Sequence, residues 1–253
     1  MNKRNAIGRI REKLKQGGHS VGSWMQIPHA SIAEIMGQAG YDWIAVDMEH
    51  GSVGAHQLPD LFRAIELGGT LPLARVAQGH VKDCKQALDA GAAGIIVPMI
   101  ESARQLADVA SACRWPPAGT RGVGFSRANL FGKHFAEYRE EAQSPLLVAM
   151  IEHVGAVDGL REILEVPGLD ALLIGPYDLS ASIGLTGDFD HADFKALMQR
   201  IRQAAAKVHI PVGIHVVAPS KEELGQRLAD GYRFLAYSLD AVMLRDAAEF
   251  GAN

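Results

Sequence analysis

The sequence predicts a single (β/α)8 barrel domain spanning residues 1–253, and three observations support this prediction. The length of 253 residues is typical of an α/β barrel that forms one domain. Apolar residues make up 48% of the chain, which is enough to bury a large core. Eight short apolar runs recur along the chain, each followed by a stretch with helical periodicity. Parallel strands that are buried on both faces and joined by crossover helices have this pattern.

The apolar runs define the predicted strands. They span residues 21–27, 43–48, 71–76, 94–99, 146–151, 171–175, 211–217 and 234–238. Open doubly wound sheets have about five to seven strands, so eight runs favour a closed barrel. Glycines mark the ends of the predicted helices, as at Gly40 and Gly91. Residues 115–144 form a long connection, which is typical of a functional or oligomer-contact segment.

Composition excludes several classes of protein. The chain has 25 basic and 29 acidic residues, so no positive surplus points to a nucleic-acid or membrane partner. Its two cysteines, Cys84 and Cys113, have neither a disulfide-framework pattern nor a metal-finger spacing. The basic N-terminal segment, residues 1–18, predicts an amphipathic helix and lacks the apolar core of a signal peptide. We therefore expect a cytoplasmic protein with reduced thiols.

Polar side chains collect where the predicted strands end. Because barrel active sites lie at the C-terminal ends of the strands, these positions are the candidate site. The candidates are Trp24, Gln26, Asp47, Glu49, His50, Arg75, Glu152, His153, Asp178, His215 and Asp240. Two carboxylates, completed by water and substrate oxygens, suit Mg²⁺ or Mn²⁺ better than Zn²⁺. Together with an arginine and a histidine, they predict a site for a divalent ion and an anionic substrate.

Each candidate also has a structural interpretation. Asp178 could cap a helix that begins at residue 179. Arg75 could serve only as the ion-pair partner of Asp47, and His50 could be a solvated loop residue. Packing or surface positions are the interpretation for His153 and His215.

Two absences from the sequence narrow the chemistry. None of the nine lysines lies at the C-terminal end of a predicted strand, which disfavours Schiff-base catalysis. The loops after the seventh and eighth strands lack the glycine-rich turns that bind phosphate in many barrels. We therefore expect a substrate with a plain carboxylate rather than a phosphate group.

Six motifs carry a resemblance to a known family. They are VDMEHG at 46–51, LARV at 73–76, VPMIES at 97–102, WPPAGTRGVG at 115–124, MIE at 150–152 and IGPYDLSASIG at 174–184. Over nearly its whole length the chain resembles the HpcH/HpaI family of metal-dependent (class II) pyruvate aldolases, which includes 4-hydroxy-2-oxoheptanedioate aldolase and 2-dehydro-3-deoxyglucarate aldolase. The resemblance implies a barrel of the phosphoenolpyruvate/pyruvate type that assembles as a homo-oligomer, usually a hexamer. It further implies reversible cleavage of a 4-hydroxy-2-oxo acid to pyruvate and an aldehyde, with Mg²⁺, Mn²⁺ or Co²⁺.

The resemblance also implies catalytic roles. Glu152 and Asp178 are expected to bind the metal ion, which stabilises the pyruvate enolate as a Lewis acid. Arg75 is expected beside the keto oxygen. His50, supported by Asp89, is expected to act as the base on the 4-hydroxyl group.

The remaining roles concern positioning and specificity. Asp47 is expected to orient Arg75, and Glu49 to hold metal-bound water. The substrate carboxylate is expected at Gly175, Pro176, Tyr177 and Asp178. The acceptor aldehyde pocket is expected at Trp24, Val123, Met150 and His215. Met150 replaces a glutamine common in the family and His215 an aliphatic residue, so both bear on the choice of aldehyde.

Asp89 and Val123 are predicted to lie at the wrong end of their own barrel. Each follows most of a crossover helix, and crossover helices run antiparallel to the strands, so both should lie at the N-terminal end, away from His50. This conflict suggests active sites shared between subunits.

Two other functions stay open at the level of sequence. A thioester carbon–carbon lyase of the citramalyl- or malyl-CoA type would need a basic surface for coenzyme A, and no basic cluster is evident near the predicted barrel mouth. A catalytically silent barrel that binds 2-oxo acids is opposed by the intact set of His50, Arg75, Glu152 and Asp178.

Overall fold

Eight parallel strands close into a barrel in the computed structural model, which describes residues 2–251. They are β1 Ser20–Met25, β2 Trp43–Asp47, β3 Leu71–Arg75, β4 Gly94–Val97, β5 Leu146–Ile151, β6 Ala171–Ile174, β7 Val212–Val216 and β8 Phe234–Leu239. Each strand pairs with the next in chain order, and β8 pairs with β1. The predicted (β/α)8 barrel is confirmed, and the predicted strand ends differ from the observed ones by at most two residues.

Helices precede, connect and follow the strands. They are α1 Lys3–Lys15, α2 Ala30–Gly37, α3 Leu58–Leu67, α4 Val81–Ala90, α5 Ala103–Cys113, α6 Phe135–Glu141, α7 Val154–Asp158, α8 Leu160–Leu164, α9 Pro176–Ala181, α10 Ala192–Lys207, α11 Lys221–Ala229 and α12 Asp240–Ala248. Local residues set several helix ends: the Ser102 and Ser220 hydroxyls cap α5 and α11, and Gly91 ends α4 in the left-handed region. Between residues 2 and 251, every helix is too short or too polar to cross a membrane.

Large aromatic side chains fill the inside of the barrel. Trp43 stacks on Phe234 with ring centroids 4.8 Å apart, and the edge of Trp24 meets Trp43 at 6.0 Å. Gly22 pairs with Trp43 in the sheet and leaves room for its indole, because a Cβ at Gly22 would lie 2.0 Å from that ring. Packing of this kind makes the barrel interior a solid core rather than a pore.

Helix α1 closes the N-terminal end of the barrel. Its buried residues Ile7, Ile10 and Leu14 share one apolar cluster with Trp43 and Leu71, which begin β2 and β3. The amphipathic helix predicted from the leading segment therefore forms, and its apolar face covers the barrel bottom. The C-terminal end of the barrel is the end left open for a ligand.

The long connection between β4 and β5 has its own small core. It contains a 3-10 helix, Arg127–Gly132, and helix α6, both outside the barrel wall. Trp115 and Tyr138 pack together in this core with ring centroids 5.2 Å apart. Phe125 and Phe131 on its outer side are 75% and 68% exposed, so the segment presents apolar surface to its surroundings.

We expect Gly22→Ala to lower the free energy of unfolding by about 3 kcal/mol, because the added methyl group would overlap an indole held against Phe234. Gly8→Ala is the matched control: Gly8 is exposed in α1, has no atom within 4 Å of an added Cβ, and should gain about 0.5–1 kcal/mol. Urea denaturation followed by circular dichroism measures both changes. Equal stabilities for the two variants would contradict the packing described for the barrel interior.

Candidate active site

The candidate site lies at the open end of the barrel, where the inward-facing strand positions become polar. Asp47 and Arg75 are the last residues of β2 and β3 and pair in register. They occupy the side of the sheet that Ala45 and Leu73 occupy one layer below, since strand side chains alternate between faces. Glu152 directly follows β5 and continues the same alternation above Met150. The inward-facing side chains thus change from apolar to charged between one layer of the barrel and the next.

Asp47 is the most heavily hydrogen-bonded residue of the pocket. Its fully buried carboxylate accepts from Arg75 at 2.9 Å (Nε) and 2.6 Å (Nη2), and from the Gln26 side chain at 2.8 Å. It also accepts from the backbone N–H groups of Glu49 and His50 at 3.1 and 3.2 Å. Burial opposes ionisation, but the Arg75 hydrogen bonds and charge outweigh it, so the pKa of Asp47 is lowered. Asp47 is therefore ionised in the folded protein at neutral pH.

Arg75 is held on three sides. Two of its nitrogens bond to Asp47, its guanidinium carbon lies 4.4 Å from the centre of the Trp24 ring, and Nη1 lies 3.3 Å from Glu49 Oε2. The bidentate pair fixes the plane of the guanidinium group. Arg75 thus forms the ion pair with Asp47 that the structural interpretation predicted. Its Nη1 edge remains turned toward Glu49.

Glu152 carries the strongest electrostatic perturbation among the acidic residues here. It is 3% exposed, and its Oε2 accepts from the Met99 backbone N–H at 3.3 Å. Burial, followed by the negative charges of Glu49 and Asp178, raises the pKa of Glu152 to about 7. A Cβ at Gly175 would lie 2.7 Å from Cγ of Glu152, so this position needs glycine. The pocket concentrates negative charge with little water to screen it.

Asp178 faces this pocket from helix α9. The helix begins at Pro176 rather than at residue 179, because Pro176 suits the first turn and Gly175 takes the N-cap position. The interpretation of Asp178 as the helix cap is therefore wrong; its side chain is exposed in the first turn of α9. Tyr177 beside it is 58% exposed and packs edge-on against Phe189.

The acidic residues form a charge cluster rather than a complete metal cage. Within residues 2–251, no three His, Cys, Asp or Glu side chains are close enough to hold a metal ion by themselves. Burial also raises the pKa of Glu49, whose buried Oε2 makes the ion-pair contact with Arg75 but no hydrogen bond. Glu49, Glu152 and Asp178 thus share the pocket with Arg75 as the neighbouring cation.

The histidines differ in their surroundings. The side chain of His50 is 61% exposed, and its Nε2 lies 3.8 Å from Glu49 Oε2. The ring of His153 caps α7 by accepting from the Gly155 backbone N–H, and it lies 3.4 Å from Glu101. His50 is therefore a solvent-facing group at the pocket rim, whereas His153 has the structural position predicted for it.

His215 lies deeper, beside Trp24. The two rings are 6.1 Å apart, and Nε2 of His215 lies 3.2 Å from the Ser238 carbonyl oxygen. Burial lowers the pKa of His215 to about 4, so the ring is neutral at neutral pH. Met150 is also buried on the inner side of the barrel. Trp24, Met150 and His215 thus all contribute to the inner wall below the charged pocket.

Asp89 and Val123 are not brought to this pocket. Asp89 lies near the end of α4, with Oδ1 at 3.9 Å from Nη1 of Arg121. Lys3 of α1 donates to the carbonyl oxygen of Gly91, which places this end of α4 beside the helix that closes the barrel bottom. Val123 follows on the neighbouring segment and is 56% exposed. Both residues lie at the end opposite His50, as their chain positions predict.

Three supporting residues had no assigned role in the sequence analysis. Asp240 accepts from the backbone N–H groups of Gln26 and Ile27, each at 2.8 Å, and Gln26 in turn donates to Asp47. Gln26 and Asp240 each directly follow a strand, and this position is the feature of the sequence that could have indicated their supporting roles. The backbone of Met99 has a φ of 51°, in the left-handed region. Methionine does not favour this region, so the sequence gives no sign of it.

The matches to known proteins agree with this architecture. Residues 20–247 match the HpcH/HpaI aldolase/citrate lyase family. The chain belongs to this family. The 2-dehydro-3,6-dideoxy-6-sulfogluconate aldolase of Pseudomonas putida is 36% identical over 236 residues, or 93% of this chain and 92% of that protein. The 2-keto-3-deoxy-L-rhamnonate aldolase of Escherichia coli is 36% identical over 246 residues, or 95% and 90%.

A solved structure extends the agreement to the fold. A HpcH/HpaI aldolase/citrate lyase family protein from Burkholderia cenocepacia superposes with a TM-score of 0.88 at 32% identity, covering 95% of this chain and 96% of that one. The predicted family and the predicted aldolase class of lyase are confirmed. The thioester lyase and the silent barrel are not favoured, because the curated relatives are aldolases.

We expect the free energy of unfolding to depend less on pH in the His215→Leu variant than in wild type. The unfolded chain binds a proton at His215 near pH 6.5, whereas the folded chain resists protonation until about pH 4. The wild-type free energy of unfolding should therefore fall as the pH falls through this window. Between pH 7.5 and pH 5, His215→Leu should gain about 2 kcal/mol relative to wild type.

Urea denaturation at both pH values measures this difference, with His56→Leu at an exposed histidine as the control. Parallel pH profiles for wild type and His215→Leu would show that His215 is not buried as a neutral ring.

Proposed function

We propose that the chain is a metal-dependent pyruvate aldolase that reversibly cleaves a 4-hydroxy-2-oxo acid into pyruvate and an aldehyde. The observation that carries the proposal is the Arg75–Asp47 pair beside Glu49, Glu152 and Asp178 at the open end of the barrel. The relatives from Pseudomonas putida and Escherichia coli are aldolases of sugar acids, which supports the same bond-breaking chemistry. The partners are then small molecules, with neither nucleic acid nor membrane involved.

The residues of the pocket fit a divalent cation. Glu152 and Asp178 are the proposed ligands, and Glu49 would hold water on the ion. Burial, followed by the negative charges of Glu49 and Asp178, raises the pKa of Glu152, and a divalent cation would offset those charges. Glu49 Oε2 is buried and makes an ion-pair contact with Arg75 but no hydrogen bond. Two carboxylates with free positions for water and substrate suit Mg²⁺, Mn²⁺ or Co²⁺. Such an ion would supply Lewis-acid stabilisation of the negative charge on the keto oxygen of pyruvate.

The side chains then have distinct tasks. Asp47 fixes Arg75, so that the Nη1 edge, which faces Glu49, can stabilise negative charge on the keto oxygen without reorienting during the reaction. Gly175 has no side chain and so accommodates Glu152, and the proposed place of the substrate carboxylate is the backbone at the start of α9, next to Pro176 and Tyr177. His50, exposed at the rim, is the proposed base for the substrate hydroxyl.

The site is proposed to be shared between subunits of a homo-oligomer, a hexamer. Asp89 and Val123 can meet His50 only on a second copy, because they lie at the opposite end of their own barrel. The surface beside them is apolar and exposed at Val123, Phe125, Leu130 and Phe131. Burying such a patch favours association, and a second copy of this chain is its proposed occupant. Val123 would then complete the acceptor pocket that Trp24, Met150 and His215 begin.

The proposed location is the cytoplasm. Cys84 and Cys113 are free and buried, which suits a reducing compartment.

Enolate formation can be measured without knowing the aldehyde. We expect the methyl protons of pyruvate to exchange with deuterium in D₂O with Mg²⁺, Mn²⁺ or Co²⁺, and the exchange to stop with excess chelator. Glu152→Gln should slow exchange by at least about 100-fold, because it removes a proposed ligand while keeping the side-chain shape. Glu101→Gln, which changes an exposed carboxylate outside the proposed site, should leave exchange unchanged. Absence of exchange with all three metals, in folded protein, would refute the proposed function.

Subunit mixing tests the shared site. His50→Ala and Asp89→Asn should each keep about 1% of wild-type turnover or less, because each loses part of the proposed proton transfer. Their mixed oligomers should recover about one quarter of wild-type turnover, because that fraction of interfaces combines an intact His50 with an intact Asp89. His50→Ala mixed with Glu152→Gln is the control and should show no recovery, since both residues belong to the same pocket. Confirmed subunit exchange without recovery in the first mixture would contradict the shared site.

A further inference from the structure

Arg121 is a buried cation whose surroundings do not satisfy it. It belongs to the motif at 115–124 and is 1% exposed, although arginine is rarely buried to this extent without a partner. Its Nη2 donates to the Tyr138 hydroxyl at 2.9 Å, and its guanidinium carbon lies 5.7 Å from the ring centres of Trp115 and Tyr138. Among the described residues, neither Nε nor Nη1 has a hydrogen-bond acceptor.

The carboxylate that faces this cation is Asp89. Nη1 of Arg121 and Oδ1 of Asp89 are 3.9 Å apart, a distance that allows charge attraction but exceeds a hydrogen bond. The Asp89 side chain is 28% exposed, so it has a buried side toward Arg121 and an open side. Lys85, on the same helix, is a second cation near it, and Tyr138 is the neighbouring phenol. Burial raises the pKa of Asp89, and the charges of Arg121 and Lys85 oppose that rise.

Packing alone does not explain an arginine at this position. The buried nitrogens Nε and Nη1, which have no acceptors, cost stability, and an apolar side chain would fill the space between Trp115 and Tyr138 without that cost. The aromatic rings hold the guanidinium group in place, while Tyr138 occupies one of its edges. The edge that remains points toward the carboxylate on α4.

We infer that Arg121 is a positioning residue that fixes the charge and direction of the Asp89 carboxylate, so that its open side can meet His50 of a second copy. This inference rests on the proposed shared aldolase site. Arg121 would act through Asp89 and touch no substrate atom. Because pyruvate is held at the other end of each barrel, loss of Arg121 should lower kcat and leave KM for the substrate nearly unchanged.

The first test is a double-mutant cycle in aldol cleavage. Arg121→Met keeps an unbranched apolar side chain between the two rings and removes the charge; it should lower kcat about 10- to 100-fold, change KM less than twofold and move the acidic limb of the pH profile to higher pH. Arg121→Lys should restore part of kcat. In the Asp89→Asn background, Arg121→Met should cause no further loss.

Arg114→Met is the matched control. Arg114 is 9% exposed and donates to the carbonyl oxygens of Pro167 and Gly168. Arg114→Met therefore removes a buried arginine that does not contact Asp89. Thermal unfolding and size-exclusion chromatography report the fold and assembly of every variant. Losses of equal size in Arg121→Met and Arg114→Met, or losses that multiply with Asp89→Asn, would overturn the inference.

The second test does not need activity. The thiol introduced by Asp89→Cys serves as a probe of the charge at this position, and its alkylation by iodoacetamide is followed against pH. Adding Arg121→Met should raise the pKa of this thiol by about one unit, whereas adding Arg114→Met should leave it unchanged. The inference would be overturned, even in an active enzyme, if neither Arg121→Met nor Arg114→Met changed the pKa of this thiol. If wild type shows no aldol cleavage, the proposed function fails and this titration alone decides the role of Arg121.

Discussion

The buried ion pair between Asp47 and Arg75 is the interaction on which the pocket depends. A carboxylate without solvent exposure is stable only because five donors surround it, two from Arg75, one from Gln26 and two from the backbone after β2. The same contacts shape the loop that carries Glu49 and His50. Asp240 extends this support by holding the backbone of Gln26. Removing one partner would therefore disturb the orientation of several others.

The pocket contains more negative than positive charge. Glu49, Glu152 and Asp178 approach one another around a space in which Arg75 is already engaged with Asp47. Burial, followed by the charges of Glu49 and Asp178, raises the pKa of Glu152, so ionising all three carboxylates together costs free energy. Repulsion of this kind reduces stability in an isolated chain, and the proposed divalent cation would relieve it. Stability and function oppose each other at this end of the barrel, as they do in many active sites.

The two ends of the barrel have different tasks. Helix α1 covers the N-terminal end, and the long connection beside it carries Arg121 and the exposed apolar residues Phe125 and Phe131. Asp89 stands between these features, with one side toward Arg121 and the other toward solvent. A site completed by a second copy would explain why so much apolar surface and so specific a carboxylate lie far from the pocket of their own chain. Assembly would then control activity directly.

Sequence by itself determined the barrel, because strand and helix periodicity and caps such as Ser102 are local properties that survive in any context. It also determined that Asp47, Arg75 and Glu152 lie at or beside strand ends, and that Asp89 does not. Tertiary structure decided the contacts between residues distant in the chain. The Met99 amide reaches Glu152 across 53 residues, and Gln26 reaches Asp47 across 21. These contacts depend on barrel closure and on backbone angles that no local pattern encodes, so only the folded chain shows them.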